Sequence, residues 1–299
     1  MNHQQHNRKR HDRKRHAAAA AAGSLALALV LGACGADTDK ATDAGAATGG
    51  VSVSHVHGLG IDPADGRLYV ATHEGIVTPG ENGAAQRVGD SHDDFMGFTV
   101  AGPNTFVASG HPGHGNDDEP ANRGLVESTD AGKTWKVRSL AGVDFHALDH
   151  VDGTVYGYDS TNGRLRVSEN RVDWDDRAEI GALDIAVGPK DPDTILATTE
   201  RGVARSSDGG RTFAPGTGPV LAYLSWAEPD ALFGVDLSGT VHRSDDGGAT
   251  WQRTGSVPGG RPQALTAVTA DRVLAATGSG VYESKDAGRT FTRVLAVAD

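Results

Sequence analysis

Outside one apolar stretch near its start, the chain alternates short apolar runs with clusters of turn residues. At the C-terminal end, four such runs at 264–269, 273–277, 280–284 and 291–297 are split by Asp-, Gly- and Ser-containing segments, which predicts four short β-strands. The rhythm continues back to about residue 55, and no long apolar run interrupts it. The 41 glycines and 12 prolines among 299 residues suit a fold of many tight turns. A single all-β domain of this length has ample chain for a core.

An internal repeat makes the prediction specific. Ser128-Thr129-Asp130-Ala131-Gly132-Lys133-Thr134-Trp135 returns as Ser206-Ser207-Asp208-Gly209-Gly210-Arg211-Thr212-Phe213. It returns again as Ser244-Asp245-Asp246-Gly247-Gly248-Ala249-Thr250-Trp251 and as Ser284-Lys285-Asp286-Ala287-Gly288-Arg289-Thr290-Phe291. A decayed copy runs from Ser168 to Trp174, so the starting serines are 40, 38, 38 and 40 residues apart. The pattern S-x-D-x-G-x-T-W/F is the Asp-box. Its Ser and Asp bond the backbone of a tight turn, its Gly takes positive φ, and its aromatic ring packs between sheets. Asp130, Asp208, Asp246 and Asp286 are therefore structural, and Trp135 and Trp251 are expected in the core. Units of ~40 residues with four strands are typical propeller blades. The expected fold is an all-β propeller over 51–299, with blades near 55–92, 93–142, 143–180, 181–218, 219–257 and 258–297. Six blades is the count and seven the alternative, with 51–54 available as an extra strand for the last blade.

The first 33 residues read as a signal peptide. A basic block (Arg8, Lys9, Arg10, Arg13, Lys14, Arg15) precedes an Ala- and Leu-rich stretch at 17–31, short for a membrane span. It ends in Leu31-Gly32-Ala33-Cys34, which resembles a bacterial lipobox. Cys34 is the only cysteine, so an internal disulfide is ruled out and a lipid is its expected modification. Residues 34–50 read as a flexible polar linker. The expected location is the extracytoplasmic face of the cell membrane, with the lipid on Cys34 as anchor. Without residues 1–33 the chain carries 38 acids against 22 bases, which argues against a nucleic-acid partner.

Candidate chemistry lies in the histidines. In a blade the start of the inner strand and the turn between the second and third strands share one face, and the Asp-box turn lies on the other. Nine of the 13 histidines follow residue 33, and seven of them fall on the first of these faces in three adjacent blades. They are His55, His57, His73, His92, His111, His114 and His146, joined by Asp94 and Asp144. His150 and His242 read as surface residues. Side chains two apart on a strand point the same way, so His55 and His57 converge, as do Asp144 and His146. Imidazole and carboxylate suit a transition metal such as Zn(II), Cu(II) or Mn(II), so this His/Asp-rich channel face is expected to bind such a metal or a small ligand. The expected first ligands are His55, His57 and His146, with Asp94 or Asp144 as a fourth ligand or an orienting partner. His73 and His111 stand in reserve, and the His114 loop is a candidate lid. The protein partner is not legible.

Residues 55–297 resemble bacterial Asp-box lipoproteins filed with the sialidase-like glycosyl hydrolases. His55-Val56-His57-Gly58-Leu59-Gly60, Asp94-Phe95-Met96-Gly97-Phe98 and Asp144-Phe145-His146-Ala147-Leu148 look like signature stretches of that group. The resemblance implies a propeller and raises glycoside hydrolysis, for which Asp94 and Asp144 are the candidate carboxylates. Sortilin-type receptors and photosystem assembly factors share the repeat, so a binding scaffold is the third reading. True sialidases hold a sugar carboxylate with three arginines, one in an Arg-Ile-Pro motif absent here. Arg261, with Arg201 as a second, is what the expected face offers, and neither Tyr158 nor Tyr223 has an assignable Glu partner. Sialidase activity is not expected.

Overall fold

The computed structural model describes residues 51–81, 83–113 and 120–297. The leader, Cys34, the linker and His114 lie outside the described residues. Blade 1 holds β1 (Val56–Ile61), β2 (Leu68–Thr72), β3 (Gly75–Pro79) and β4 (Ala85–Val88). Blade 2 holds β5 (Asp94–Gly102), β6 (Thr105–His111), β7 (Leu125–Ser128) and β8 (Lys136–Ser139). Blade 3 holds β9 (Phe145–Val151), β10 (Thr154–Asp159), β11 (Arg164–Ser168) and β12 (Asp175–Glu179). Blade 4 holds β13 (Ile185–Val187), β14 (Ile195–Thr199) and β15 (Gly202–Ser206). Blade 5 holds β16 (Tyr223–Glu228), β17 (Ala231–Val235), β18 (Thr240–Ser244) and β19 (Gln252–Ser256). Blade 6 holds β20 (Pro262–Ala267), β21 (Val273–Thr277), β22 (Gly280–Ser284) and β23 (Thr292–Ala296). Every sheet is an antiparallel meander with its strands in chain order. Each inner strand packs on the inner strands of both neighbouring blades, and β20 packs on β1. The result is a six-bladed β-propeller, as the repeat predicts.

Two details depart from expectation. Residues 51–54 form no strand: Val51 N–H bonds the Ala85 carbonyl at 3.0 Å, and Val53 is buried between blades 6 and 1. The ring closes without strand exchange. Gln263 Oε1 accepts the Val56 N–H at 3.1 Å, and Thr266 Oγ1 donates to the Leu59 carbonyl at 2.8 Å. Blade 4 also lacks an outer strand, keeping only the Val203–Thr217 bridge. The segment Ala214-Pro215-Gly216-Thr217-Gly218 explains this, because Pro215 has no N–H for a ladder and glycine weakens a strand.

The core is divided into six wedges, one at each interface between blades. Between blades 1 and 2, Tyr69, Ile76, Phe95, Phe98 and Phe106 are all buried. At about 25 cal/mol per Å² of apolar surface removed from water, these wedges are the main attraction between neighbouring blades.

The repeat turns repeat atom by atom. In the first, Ser128 Oγ donates to Asp130 Oδ1 at 2.8 Å and accepts the Gly132 N–H at 2.8 Å. Asp130 also accepts the Thr134 N–H at 2.9 Å and the Thr134 hydroxyl at 2.7 Å. The turns at Asp208, Asp246 and Asp286 make the same bonds. Bonds from the box threonine and serine hold the Asp208, Asp246 and Asp286 carboxyls down at about 2. Gly210 has φ +82°, and a Cβ there would run into Leu165 of the preceding blade. Trp135 and Trp251 are only half-buried, correcting the expectation of core residues. Each caps a wedge from outside, its Nε1 donating to the box glycine carbonyl at 3.0 and 3.1 Å.

Candidate metal centre at the channel mouth

The face opposite the repeat turns is built from different devices. One is a bulge near the start of the inner strand. Pairing slips between Val56 and Gly58 in β1, Phe95 and Gly97 in β5, and Pro262 and Ala264 in β20. In blade 3, Phe145 pairs with Asp159 and Ala147 with Tyr158, which leaves His146 between them. His57, Met96, His146 and Gln263 thus occupy equivalent extra positions. Bulges bend a strand and re-aim its side chains, and here they sit at the rim of the channel.

The second device is the Thr72-His73-Glu74-Gly75 turn. Thr72 Oγ1 donates to the Gly75 carbonyl at 2.8 Å and accepts the Glu74 N–H at 3.0 Å. Gly75 has φ +99°, and a Cβ there would collide with the Ser91 carbonyl. The Arg87 guanidinium bonds the Glu74 carbonyl from β4. This turn carries His73 over the first inner strand.

Together these devices gather His55, His57 and His73, with one ligand nitrogen of each within 4.8 Å of the others. His57 Nε2 and His73 Nδ1 are 3.3 Å apart. The Asp94 carboxylate reaches both, with Oδ2 at 2.9 Å from His73 Nδ1 and Oδ1 at 3.5 Å from His57 Nε2. Asp94 is fixed by its neighbour Asp93, which is buried and takes bonds from Ser91, the Gly113 N–H and the Arg123 guanidinium. Burial first, and then the neighbouring histidines, push His57 down to about 3. His55 is lowered for the same two reasons, with Asp94 opposing. His55 and His57 are therefore held toward the neutral imidazole form. His55 Nδ1 and Asp94 Oδ1 are buried without a hydrogen bond among the described residues.

His146, expected beside His55 and His57, is turned elsewhere. Its Nε2 lies 2.8 Å from Asp144 Oδ2, and that bond raises its pKa against the pull of burial. Burial alone would raise Asp144, but the His146 bond and charge win and lower it. The bond thus favours the charged form of both partners, whereas His57 is held toward its neutral form. His73, expected only as a reserve, takes the place beside His55 and His57. His111 ends β6, opposite Asp94 in the ladder, and its Nδ1 donates to the Ala121 carbonyl at 2.9 Å. His92 is exposed, 3.8 Å from Glu74. His150 and His242 are half-buried, and His242 lies 3.4 Å from Asp236 Oδ2.

The sequence signal for His73 was its Thr-x-x-Gly turn, which recurs as Thr199-Glu200-Arg201-Gly202 in blade 4. There Thr199 Oγ1 bonds the Gly202 carbonyl at 2.7 Å, and Gly202 has φ +107°. Below the histidines, a cavity of about 210 Å³ continues into the channel between His57, His146, Asp149, Asp184 and Tyr223. Asp149 Oδ2 accepts the Val187 N–H and Asp184 Oδ2 the Leu224 N–H, both at 2.8 Å, linking blade 3 to 4 and blade 4 to 5. Burial raises both carboxyls, Asp184 to about 7.

No known sequence family matches the chain, and no curated protein matches it. Solved structures match at the level of the fold. A streptogramin B lyase superposes with a TM-score of 0.56 at 12% identity, over 83% of this chain and 85% of the lyase. An ancestral GH74 enzyme gives 0.53 at 15% identity, over 78% of this chain and 36% of the enzyme. The GH74 xyloglucanase from Xanthomonas campestris gives 0.53 at 16%, over 82% of this chain and 46% of the enzyme. This chain thus spans less than half of either GH74 protein. At such identities the likeness shows the propeller fold alone.

Proposed function

We propose that this chain is a lipid-anchored propeller of the bacterial cell envelope that binds a transition-metal ion at its channel mouth. His55, His57 and His73 supply the nitrogens, Asp94 a fourth ligand, and Zn(II), Cu(II) or Mn(II) is the ion. One observation carries the reading: the 3.3 Å between His57 Nε2 and His73 Nδ1. Tetrahedral bonds of about 2.0–2.1 Å place neighbouring ligand atoms roughly 3.3–3.4 Å apart. Neutral imidazoles are what a metal needs, and the bondless His55 Nδ1 and Asp94 Oδ1 are the kind of buried donor an ion would satisfy. Calorimetry with each of the three ions, on wild type and on His55→Ala/His57→Ala, tests it. One tight site in wild type that is lost in the double variant is expected. Equal, weak binding by both proteins would return these histidines to ordinary loop residues.

The anchor rests on the Leu31-Gly32-Ala33-Cys34 sequence. Cys34→Ala is expected to release the protein from the membrane fraction, and unchanged fractionation would remove the lipobox reading.

Glycoside hydrolysis is the second reading, favoured by the GH74 enzymes among the fold neighbours. Its candidate carboxylates are less suited. Asp94 is engaged by His57 and His73, and Asp144 is lowered by His146, where a general acid needs a raised pKa. Turnover of any glycan in a neutral and acidic panel, abolished by Asp144→Asn, would restore it.

A further inference from the structure

On the same face, across the mouth from the histidines, blade 4 borders a second hollow of about 930 Å³. Ala204, Phe213, Pro215 and Leu221 give it an apolar floor beside the irregular outer segment of blade 4. Its rim carries Leu183, Val220 and Leu237, which are 48%, 52% and 53% exposed. These are three of the five exposed large hydrophobic residues among the described residues, so they form a patch rather than a scatter. Two guanidinium groups, Arg201 and Arg261, stand on the same rim. Neither has an ion pair or a side-chain hydrogen bond among the described residues, in a chain whose net charge is −11. Of the two acids on the rim, Glu179 is held by Arg164, and Glu200 leaves the balance positive.

We propose that this hollow binds a small amphipathic anion: an apolar body on the Phe213–Leu221 floor, and one acidic group met by Arg261 and Arg201. The volume falls within the ~300–1,000 Å³ of small-molecule sites, and the lining has their composition of apolar walls with a few polar groups. A flat protein partner would leave the concavity unfilled. The 34–50 segment holds no apolar residue larger than alanine except Cys34, so it has little to place there. A smaller cavity of about 260 Å³ shares Leu183, Leu237 and Arg261 with this hollow and is also lined by Tyr223 and His55. The anion site uses its own residues, and it stands whether or not the histidines hold a metal.

The test uses two fluorescent probes that differ by one acidic group, 8-anilinonaphthalene-1-sulfonate and the neutral N-phenyl-1-naphthylamine. Binding is titrated in EDTA, so a failed metal site has no bearing on the result. One saturable site is expected, with the sulfonate roughly fivefold tighter, the factor a partly exposed ion pair supplies. Arg201→Gln/Arg261→Gln should erase that preference. Leu237→Asp should weaken both probes at least ~10-fold, since it removes buried apolar area. Val137→Asp, on an equally exposed apolar residue of β8, should bind as wild type does. All these positions are exposed, and unchanged melting curves check the fold. Absence of saturable binding, full binding by Leu237→Asp, or a preference that survives the double arginine variant would overturn the proposal. So would sedimentation as a dimer that Leu237→Asp dissolves, which would give the face to a second copy.

Discussion

The two faces of this propeller use the same residue types to opposite ends. On the repeat-turn face, Asp208 takes its bonds from Thr212 and Ser206, which hold it at about 2. In the channel below the other face, Asp184 is half-buried, takes a backbone N–H from Leu224, and is pushed up to about 7 by desolvation. The first arrangement recurs four times with nearly the same distances. At the mouth the backbone devices recur but the side chains do not: equivalent bulge positions hold His57, Met96, His146 and Gln263. Where a side chain only has to close a turn, one solution is copied from blade to blade. Where side chains converge from several blades, each position is free to differ, and donors are left without bonds.

The largest effect expected from breaking this contrast is at Gly210. Gly210→Ala combines an unfavourable positive φ with overpacking against Leu165, and should destabilise the fold by about 2–4 kcal/mol in denaturant titrations. Metal affinity of the folded fraction should be unchanged, and a parallel loss of affinity would mean the two faces are coupled.

Next is the choice between two histidines. His73→Ala should lower metal affinity at least ~10–100-fold, a loss already seen when groups outside the first ligand sphere are removed. His146→Ala should change it by less than ~3-fold, because His146 faces Asp144. The reverse order in calorimetry would reinstate His146 as the ligand.

Trp251 separates a cap from a core residue. Buried aromatics cost roughly 3–5 kcal/mol on truncation to alanine, and a half-exposed ring should cost about half that. A loss at the full core value in thermal or chemical melts would mean that this ring shields its wedge more completely than its exposure indicates.

The smallest effects lie in the pH profile. The repeat-turn carboxyls have folded pKa values depressed to about 2, so their contribution is full above the unfolded value near 4 and fades as pH falls toward 2. Asp184 has the opposite sign. Its folded pKa is raised, so it weakens folding progressively as pH climbs from about 4 through 7. Asp184→Asn, which keeps an acceptor for Leu224, should therefore melt higher relative to wild type at pH 8 than at pH 4. A pH-independent difference would place Asp184 in a more solvated setting.

How much of this was legible follows from where each signal lies. The blades were readable because each box spells out a turn locally: Ser, Asp, Gly and Thr bond one another within one short segment. That His55, His57 and Asp94 would lie close together was readable from the residue types at the starts of inner strands. The exchange of His146 for His73 was not, because a bulge depends on how β1 and β9 register with their partners. The missing outer strand of blade 4 was not read from the repeat, although Pro215 accounts for it once the sheet is seen. The hollow beside it was hidden as well, since Leu183, Val220 and Leu237 come from separate loops, and each alone reads as an unremarkable exposed side chain.

The way the ring closes has a consequence for its history and for its engineering. Because each sheet is one unbroken segment, with no strand borrowed across the seam, the blades are interchangeable building units. The chain could begin at any of the six interfaces without cutting a sheet. Joining residue 297 to residue 51 by a short linker and opening the chain at 219 should thus give a circularly permuted protein that still folds. A lineage could duplicate or lose one blade by a single in-frame event, whereas a ring sealed by a shared sheet would have to repair its closure each time.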